Sequence, residues 1–531
     1  MLGLAHTLVA EGLHDRAFLA RYCSGFERFQ DYLLGRTDGT PKDAVWAAAI
    51  TGIPATTIVE LARRMAATRT LISTSWSVQR ADHGEQPVWM TVTLASVLGQ
   101  IGLPGGGFSL GLAATSGIAM PCPKDIPRPT LPLGPNPVKT HVPVGRVSEM
   151  LLNPGVELQY NGKVVRLPEI KLIYSVGGNP FHHNTNLNRF LKAWQRPDTI
   201  IVHEPWWTPP ARFADIVLPA TTTMERNDIQ ASELSRFYIA MHKVIEPVGQ
   251  SRNDFDVFAE LSARLGFHDA YTGDRNEMGW LQHMYEGARH IAQQRGYAPP
   301  PFEEFWAKRF YEFPLPERDE TFLGAFRENP ELNPLRTPSG RIEITSATIG
   351  NFGYDDCPPH PTWLEPAEWL GSAKADRYPL HLLSNQPTSR LHSQMDVSSV
   401  SRASKLNGRE PLSLSREDAA ARGLTDGDLV RVFNDRGAFI TAVRVASDLR
   451  PGVAQIATGA WYDPEEPGRV GSLEKHGNPN VVTDDKGTSR LAQSPVAQTV
   501  LVEIAKCSSA PSVTAYTLPT ITDPIVQGTP Q

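Results

Sequence analysis

One stretch, residues 171–228, limits the chain's options most. It opens with a short apolar run at 173–176 and turns at Gly177-Gly178-Asn179. A helical pattern follows (Leu187, Phe190, Leu191, Trp194), then a second apolar run at 199–203. Strand, turn, helix, strand is the unit of a parallel sheet, because parallel neighbours need a crossover long enough to hold a helix. A third run, 214–219, precedes Thr221–Thr223 and Glu225-Arg226-Asn227-Asp228. Polar residues collect where the strands end: Asn179, His182 and His183 after the first, His203 and Glu204 after the second. Open α/β sheets bind ligands outside the carboxyl ends of their strands. This edge is therefore the candidate site, and Asp215, inside the third run, reads as structural.

The chain has 531 residues, more than one domain needs, and three or so are expected. A net charge of −6 with no basic run argues against nucleic acid or an anionic membrane as partner. No apolar segment approaches the length of a membrane span. Cys23, Cys122, Cys357 and Cys507 are far apart, form no CxxC pair, and do not fix the redox compartment. Prolines (45) and glycines (42) gather between periodic segments, which suits a large enzyme with long ordered loops better than a helical bundle.

Residues 1–120 read as mostly helical. Helical spacing already starts at Met1, with Leu4 and Leu8 on one face and no cap before them. A helix is expected over 53–64, a strand at 70–73 ending in Trp76-Ser77-Val78-Gln79-Arg80, and an apolar helix over 89–98. Residues 121–170 are Pro-rich and then polar, an excursion that could cover a cleft. The helix over 251–261 begins with Asn253 and Asp254, which would ordinarily cap it, although an Asp there could also accept from a guanine edge. A strand is expected at 341–345. Past Pro379 the pattern becomes β: strands at 380–383, 412–414, 429–434, 438–445 and 453–457, with a short helix at 417–421 and tight turns at Asp426-Gly427-Asp428 and Asp435-Arg436-Gly437. Closely spaced strands of this kind suggest a small barrel. Its loops carry amides and hydroxyls with little charge: Ser384-Asn385-Gln386-Pro387, Arg390-Leu391-His392-Ser393-Gln394, Gly477-Asn478-Pro479-Asn480, and Gln493 to Gln498. Such groups give directional hydrogen bonds to a neutral polar heterocycle; self-capping of the loops would use the same residues.

Taken in order, GGNPFHH, the strand ending in His203-Glu204, ADIVLPATT with ERND, RND at 252–254, SNQP…RLHSQ at 384–394 and GNPNVVT…SRLAQ at 477–493 closely resemble the molybdopterin oxidoreductases of the DMSO reductase family. The likeness is to the subgroup that reduces dimethyl sulfoxide, trimethylamine N-oxide and biotin sulfoxide, and it runs from the first residue to about 505. The resemblance implies molybdenum held between two molybdopterin guanine dinucleotides (bis-MGD) and reduction of S-oxides or N-oxides by oxygen-atom transfer. It also implies parallel-sheet, Rossmann-like α/β domains followed by a C-terminal β-barrel: 1–130 the remainder of one cofactor-binding domain, 131–330 a second dinucleotide-binding domain, 331–375 a connection, and 376–531 the barrel. Carried over by position, Asn179, His183, His203, Glu204, Arg226 and Asp254 contact one dinucleotide. Arg226 would pair with pyrophosphate, Glu204 with ribose hydroxyls, and Asp254 with guanine. Ser384, Asn385, Gln386, Pro387, Arg390, His392, Ser393, Gln394, Asn480, Ala497 and Gln498 line the barrel side. Trp76, Ser77 and Arg80 match a segment near the metal, where Arg80 would steer an oxide oxygen. Ser77 stands where relatives carry Gly, and Asn184 where close relatives carry a third consecutive His.

The family's N-terminal third, which supplies a serine ligand to molybdenum and a Tyr/Trp pair, has no counterpart in this sequence. No metal ligand is therefore assigned, and His182 and His183 read as cofactor contacts rather than ligands to the metal. The alternative to an enzyme is a truncated or split-chain fragment that binds part of the cofactor without catalysis. The implied partners are a small S-oxide or N-oxide and an electron donor, a c-type cytochrome or another reductase. The implied compartment is the periplasm, or the cytoplasm if the chain is like the biotin sulfoxide enzymes.

Overall fold

The computed structural model describes residues 1–112, 122–123, 125–315 and 321–520. The start of the Pro-rich excursion and the last eleven positions of the barrel assignment lie outside the described residues. Within 171–228 the parallel unit forms as expected. Leu172–Val176, Thr199–Glu204 and Ile216–Pro219 lie side by side and parallel, with Thr199–Glu204 in the middle. Leu187–Trp194 is the crossover helix, and Asn186 caps it by accepting from Arg189 N. Its periodic apolar residues pack with Phe181, Ile200 and Val202 in one core. Beyond the third strand, Ala220 bridges Arg252 in parallel register. This places the start of the helix Asp254–Arg264 at the same sheet edge. Asn253 does not cap that helix. Its Oδ1 accepts from Thr221 Oγ1 at 2.7 Å, and its Nδ2 donates to Glu277 Oε2 at 2.6 Å.

Residues 1–112 combine helices with a second parallel pair, Leu71–Thr74 beside Gly107–Leu110, crossed over by the helix Glu85–Val97. The first helix, Leu2–Ala10, has no side-chain cap, and Ala5 and Leu8 are fully buried. Their core takes in Phe29, Leu33 and Leu94, and also Phe326, Ile342 and Ile344 from much later in the chain. The strand expected at 341–345 is the short Ile342–Glu343, paired in parallel with Cys23–Ser24. Within the polar excursion, Glu157–Tyr160 and Lys163–Arg166 form a hairpin. Its turn, Asn161-Gly162, has positive φ at both residues (48° and 71°), the type I′ arrangement that Asn-Gly favours.

The C-terminal barrel closes with the strand order Leu380–Asn385, Val453–Ala457, Pro411–Ser415, Gly437–Ala446, Leu429–Asn434, Leu501–Lys506. The closing strand, Leu501–Lys506, is the one that the sequence reading does not include. Leu501, Val502 and Ile504 fill the barrel core with Leu412, Leu414, Val430 and Val432. Among the described residues all four cysteines are free, and no single helix is long and apolar enough to cross a membrane.

Candidate functional site

At the sheet edge, Gly177 and Gly178 adopt φ of 69° and 81°, and a Cβ on either would meet nothing within 4 Å. The backbone turns over open space, as close approach of a ligand requires. Asn179, buried at the end of this turn, donates from Nδ2 to Ser393 Oγ at 3.2 Å. Its Oδ1 is buried with no partner among the described residues. A buried acceptor left unpaired costs about 1–3 kcal/mol, which marks it as a group aimed at a ligand. Glu204 ends the middle strand, only 8% exposed. Burial pushes its carboxyl up to about 7.

The structure changes the role of His203. Its side chain is 1% exposed and both ring nitrogens are engaged: Nδ1 with Asp254 Oδ1 at 2.7 Å, Nε2 with the Tyr174 hydroxyl at 2.9 Å. No ring nitrogen is left for a ligand, so His203 acts through Asp254, whose carboxylate is 40% exposed at the edge. Arg226 donates to Thr221 O at 2.8 Å and keeps a loose approach to Asp228 at 3.7 Å, with about a quarter of its side chain exposed. The Asn residues of ERND and RND do structural work, since Asn227 and Asn253 both donate to Glu277. Asp215 Oδ2 accepts from Ile200 N at 2.8 Å, a structural role as read.

The barrel loops meet this edge. Trp76–Arg80 forms a 3-10 turn in which Trp76 is 49% exposed, and the Ser77 hydroxyl meets that of Ser75 at 2.8 Å. The Arg80 carbonyl accepts from Ala497 N at 2.8 Å and Gln498 N at 3.0 Å, tying this turn to the barrel. Gln498 spends its amide on the Ser384 backbone: Nε2 donates to Ser384 O at 2.6 Å, and Oε1 accepts from Ser384 N at 3.1 Å. Gln386 Nε2 lies 2.9 Å from His392 Nδ1, and His182 Nε2 lies 3.2 Å from the same atom. Asn480, buried, donates to His182 O at 2.7 Å. Ser393 is buried against Asn179, whereas Asn385, Gln386 and Gln394 are exposed and Pro387 is half-buried. Arg390 is likewise turned inward. Its side chain is 1% exposed, and its guanidinium is consumed by Glu410 and Thr458 O at 2.9 Å each, His392 O at 3.1 Å and Asp396 at 3.3 Å. It anchors the 390–396 loop from beneath and offers no free donor to a ligand, although its charge still acts on His182.

The remaining cation, Arg80, has no side-chain partner among the described residues, and burial lowers its pKa. Its charge acts on three imidazoles. Burial first, then the charges of His183, His392, Arg80 and Arg390, hold His182 down at about 3. Burial and then Arg80 lower His183 and His392 as well. With the imidazoles neutral, the local positive charge comes from Arg80, with Arg390 behind His182. The carboxyl edge of the sheet, the Trp76–Arg80 turn and the 384–394, 480 and 497–498 segments are thus tied together through Asn179–Ser393, Asn480–His182 and the Arg80 carbonyl. The sequence reading missed Tyr174, Thr458 beside His182 and Gly459, none of which sits in a polar run. Among the described residues, no group of three or more His, Cys, Asp or Glu is arranged to hold a metal ion.

Comparison with known proteins shows the family. The family model "Molybdopterin oxidoreductase" matches residues 1–264, and "Molydopterin dinucleotide binding domain" matches 380–501. A dimethyl sulfoxide/trimethylamine N-oxide reductase of Cereibacter sphaeroides is 48% identical over 98% of this chain and 65% of its own. A biotin sulfoxide reductase of the same organism is 47% identical over 95% of this chain and 67% of its own. Trimethylamine-N-oxide reductase 1 of Escherichia coli O157:H7 is 46% identical over 98% of this chain and 63% of its own. The chain thus spans about two-thirds of the length of these relatives. Among solved structures, acetylene hydratase from Pelobacter acetylenicus shares the fold with a TM-score of 0.66 at 19% identity, over 95% of this chain and 70% of that one.

Proposed function

Since the chain belongs to the molybdopterin oxidoreductase family, we propose that it serves the reduction of an S-oxide or N-oxide by oxygen-atom transfer at molybdenum carried on two molybdopterin guanine dinucleotides. The residues fit a dinucleotide. Two glycines leave room above the sheet edge, Asn179 Oδ1 is buried with no partner among the described residues, Asp254 presents a carboxylate, and about a quarter of the Arg226 side chain is exposed. Glu204, at the end of the middle strand, would accept from ribose hydroxyls. The exposed amides of Asn385, Gln386 and Gln394 would meet the pterin's heteroatoms. When bound, the group supplies two-electron redox chemistry, and the net reaction is oxide plus two electrons and two protons giving sulfide or amine and water.

The chain's own residues hold and orient the substrate. Arg80, half-buried and without a side-chain partner among the described residues, donates to the polar S–O or N–O oxygen, where a low local dielectric strengthens the bond. The half-exposed Trp76 ring forms a wall that excludes water from the oxide's carbon substituents. The neutral imidazoles of His183 and His392 add no competing positive charge. A c-type cytochrome or another reductase partner would return the electrons. The observation that carries the reading is Arg80, which has no side-chain partner among the described residues and sits on the turn that Ala497 N and Gln498 N tie to the barrel. The test is molybdenum and GMP content of the purified chain, with dimethyl sulfoxide, trimethylamine N-oxide and biotin sulfoxide each assayed by oxidation of a reduced viologen. Bound cofactor with turnover that drops in Arg80→Lys is expected. A folded chain that takes up neither molybdenum nor GMP in a cofactor-producing host would overturn it.

A further inference from the structure

We propose that His203, itself set by the Tyr174 hydroxyl, is a positioning residue that fixes the Asp254 carboxylate for guanine over other purines. This rests on the reading that Asp254 meets the guanine of the dinucleotide. The hydrogen-bond polarity is determined by chemistry. An ionised carboxylate can only accept, so His203 Nδ1 carries the proton and donates to Asp254 Oδ1 at 2.7 Å. Nε2 is then bare and accepts from the Tyr174 O–H at 2.9 Å. The opposite tautomer would set two lone pairs against each other at Asp254. The imidazole plane is held as well, since Phe258 stacks on it at 5.2 Å and 15°, and Tyr174 packs against both rings. Tyr174 comes from the first strand of the sheet, His203 from the middle strand, and Asp254 from the first turn of the helix beyond the third. The whole relay is therefore built on regular elements.

This arrangement matters because guanine presents two adjacent donors, N1–H and the 2-amino group. A carboxylate satisfies both only when its plane is turned to them. Hypoxanthine keeps N1–H but lacks the amino group, and adenine places an acceptor where guanine has N1–H. Asp254 is otherwise a surface side chain, free to rotate. With Oδ1 pinned from below by His203, Oδ2 and the second lone pair of Oδ1 face outward together. A rotating carboxylate would still attract N1–H and lose the amino group, so the positioning shows in discrimination more than in affinity.

The experiment uses the full chain produced in a host without pterin synthesis, with GDP, IDP and ADP as calorimetric probes. The wild type should prefer GDP over IDP by about tenfold, the worth of one charge-assisted hydrogen bond. Tyr174→Phe, which keeps the ring and its packing, should shrink that ratio severalfold, and His203→Ala should abolish it. His203→Asn, whose amide nitrogen can take the place of Nδ1, should restore it. A merely structural role would lower affinity for all three probes and leave the ratio alone. An unchanged GDP/IDP ratio in both Tyr174→Phe and His203→Ala, with Asp254→Ala abolishing it, overturns the positioning role and leaves the guanine reading standing. An unchanged ratio in Asp254→Ala overturns both.

Discussion

Replacing Arg390 by Met should destabilise the barrel by breaking a buried ion-pair network. Arg390 shares a buried compartment with Lys405, Asp396 and Glu410, and the four side chains are 0–4% exposed. Lys405 reaches Asp396 at 2.8 Å and Glu410 at 2.6 Å, so the substitution leaves one ammonium facing two buried carboxylates. It also strips a donor from Thr458 O and from His392 O. Removing one partner of a buried pair costs about 3–5 kcal/mol, because the uncompensated charge remains. The pH dependence has a defined sign. Burial alone would raise the Asp396 pKa, but His476, Lys405 and Arg390 outweigh it and hold that carboxyl well below its usual range. Its stabilisation is present above the unfolded pKa and is lost as the carboxylate is protonated in acid. Without Arg390 that contribution shrinks, so the variant's deficit should be largest near neutrality and should narrow below about pH 4. Urea unfolding of the cofactor-free chain, read by hydrogen exchange, measures it. The amide of Trp461 is a suitable reporter because it donates to Asp396 Oδ2 at 3.0 Å. A loss under about 1 kcal/mol, accompanied by loss of bound cofactor, would refute the anchoring role and return Arg390 to the ligand.

Glu204→Gln should remove a pH dependence. The folded carboxyl, pushed from 4.5 to about 7 by burial, keeps a proton that the unfolded chain has already released. Wild-type stability should therefore fall between those values by up to about 3 kcal/mol. The variant should match wild type in acid and exceed it by that amount near about pH 8; equal urea midpoints at alkaline pH would reject the assignment. Gly459→Ala should disturb the 392 loop, because at φ 94° a Cβ would sit 2.0 Å from His392 O. Backbone strain of about 1–3 kcal/mol plus that clash should lower both the thermal midpoint and the GMP content, and an unaffected variant would show that the loop yields freely.

What the sequence revealed was whatever rests on local periodicity. The crossover helix announced itself because Leu187, Phe190, Leu191 and Trp194 share one helical face, and the barrel because its strands alternate between tight turns. The closing strand Leu501–Lys506 escaped because its identity depends on partners more than a hundred residues back in Leu380–Asn385 and about seventy back in Leu429–Asn434. The Asn161-Gly162 hairpin carried a recognisable turn signal inside a run dominated by polar residues. At the site, the polar loops were legible as loops, but the direction of each side chain was not. His203 and Arg390 look in the sequence like a base and a cation offered to a ligand. Both are turned inward by partners remote in the chain: Asp254 and Tyr174 for one, Glu410 and Asp396 for the other.

That inward turn separates two layers of the cleft by a physical criterion. Residues of the supporting layer spend their polar side-chain atoms on protein: both ring nitrogens of His203, the Arg390 guanidinium and the Gln498 amide. Residues of the facing layer are left expensive. Among the described residues, Asn179 Oδ1 is buried without a partner and Arg80 is partly desolvated without a carboxylate, and Glu204 holds a carboxyl near neutrality. Non-glycine residues at positive φ occur in the same loops, His392 at 54° and Gln493 at 53°. Costs of this kind persist only where the surroundings over-determine them, and the supporting layer does so through Arg390 beneath His392 and Gln498 beneath Ser384. A substitution in the supporting layer should therefore act first on stability and then on cofactor content. One in the facing layer should act on cofactor or substrate while leaving the fold unchanged or more stable, as proposed for Glu204→Gln.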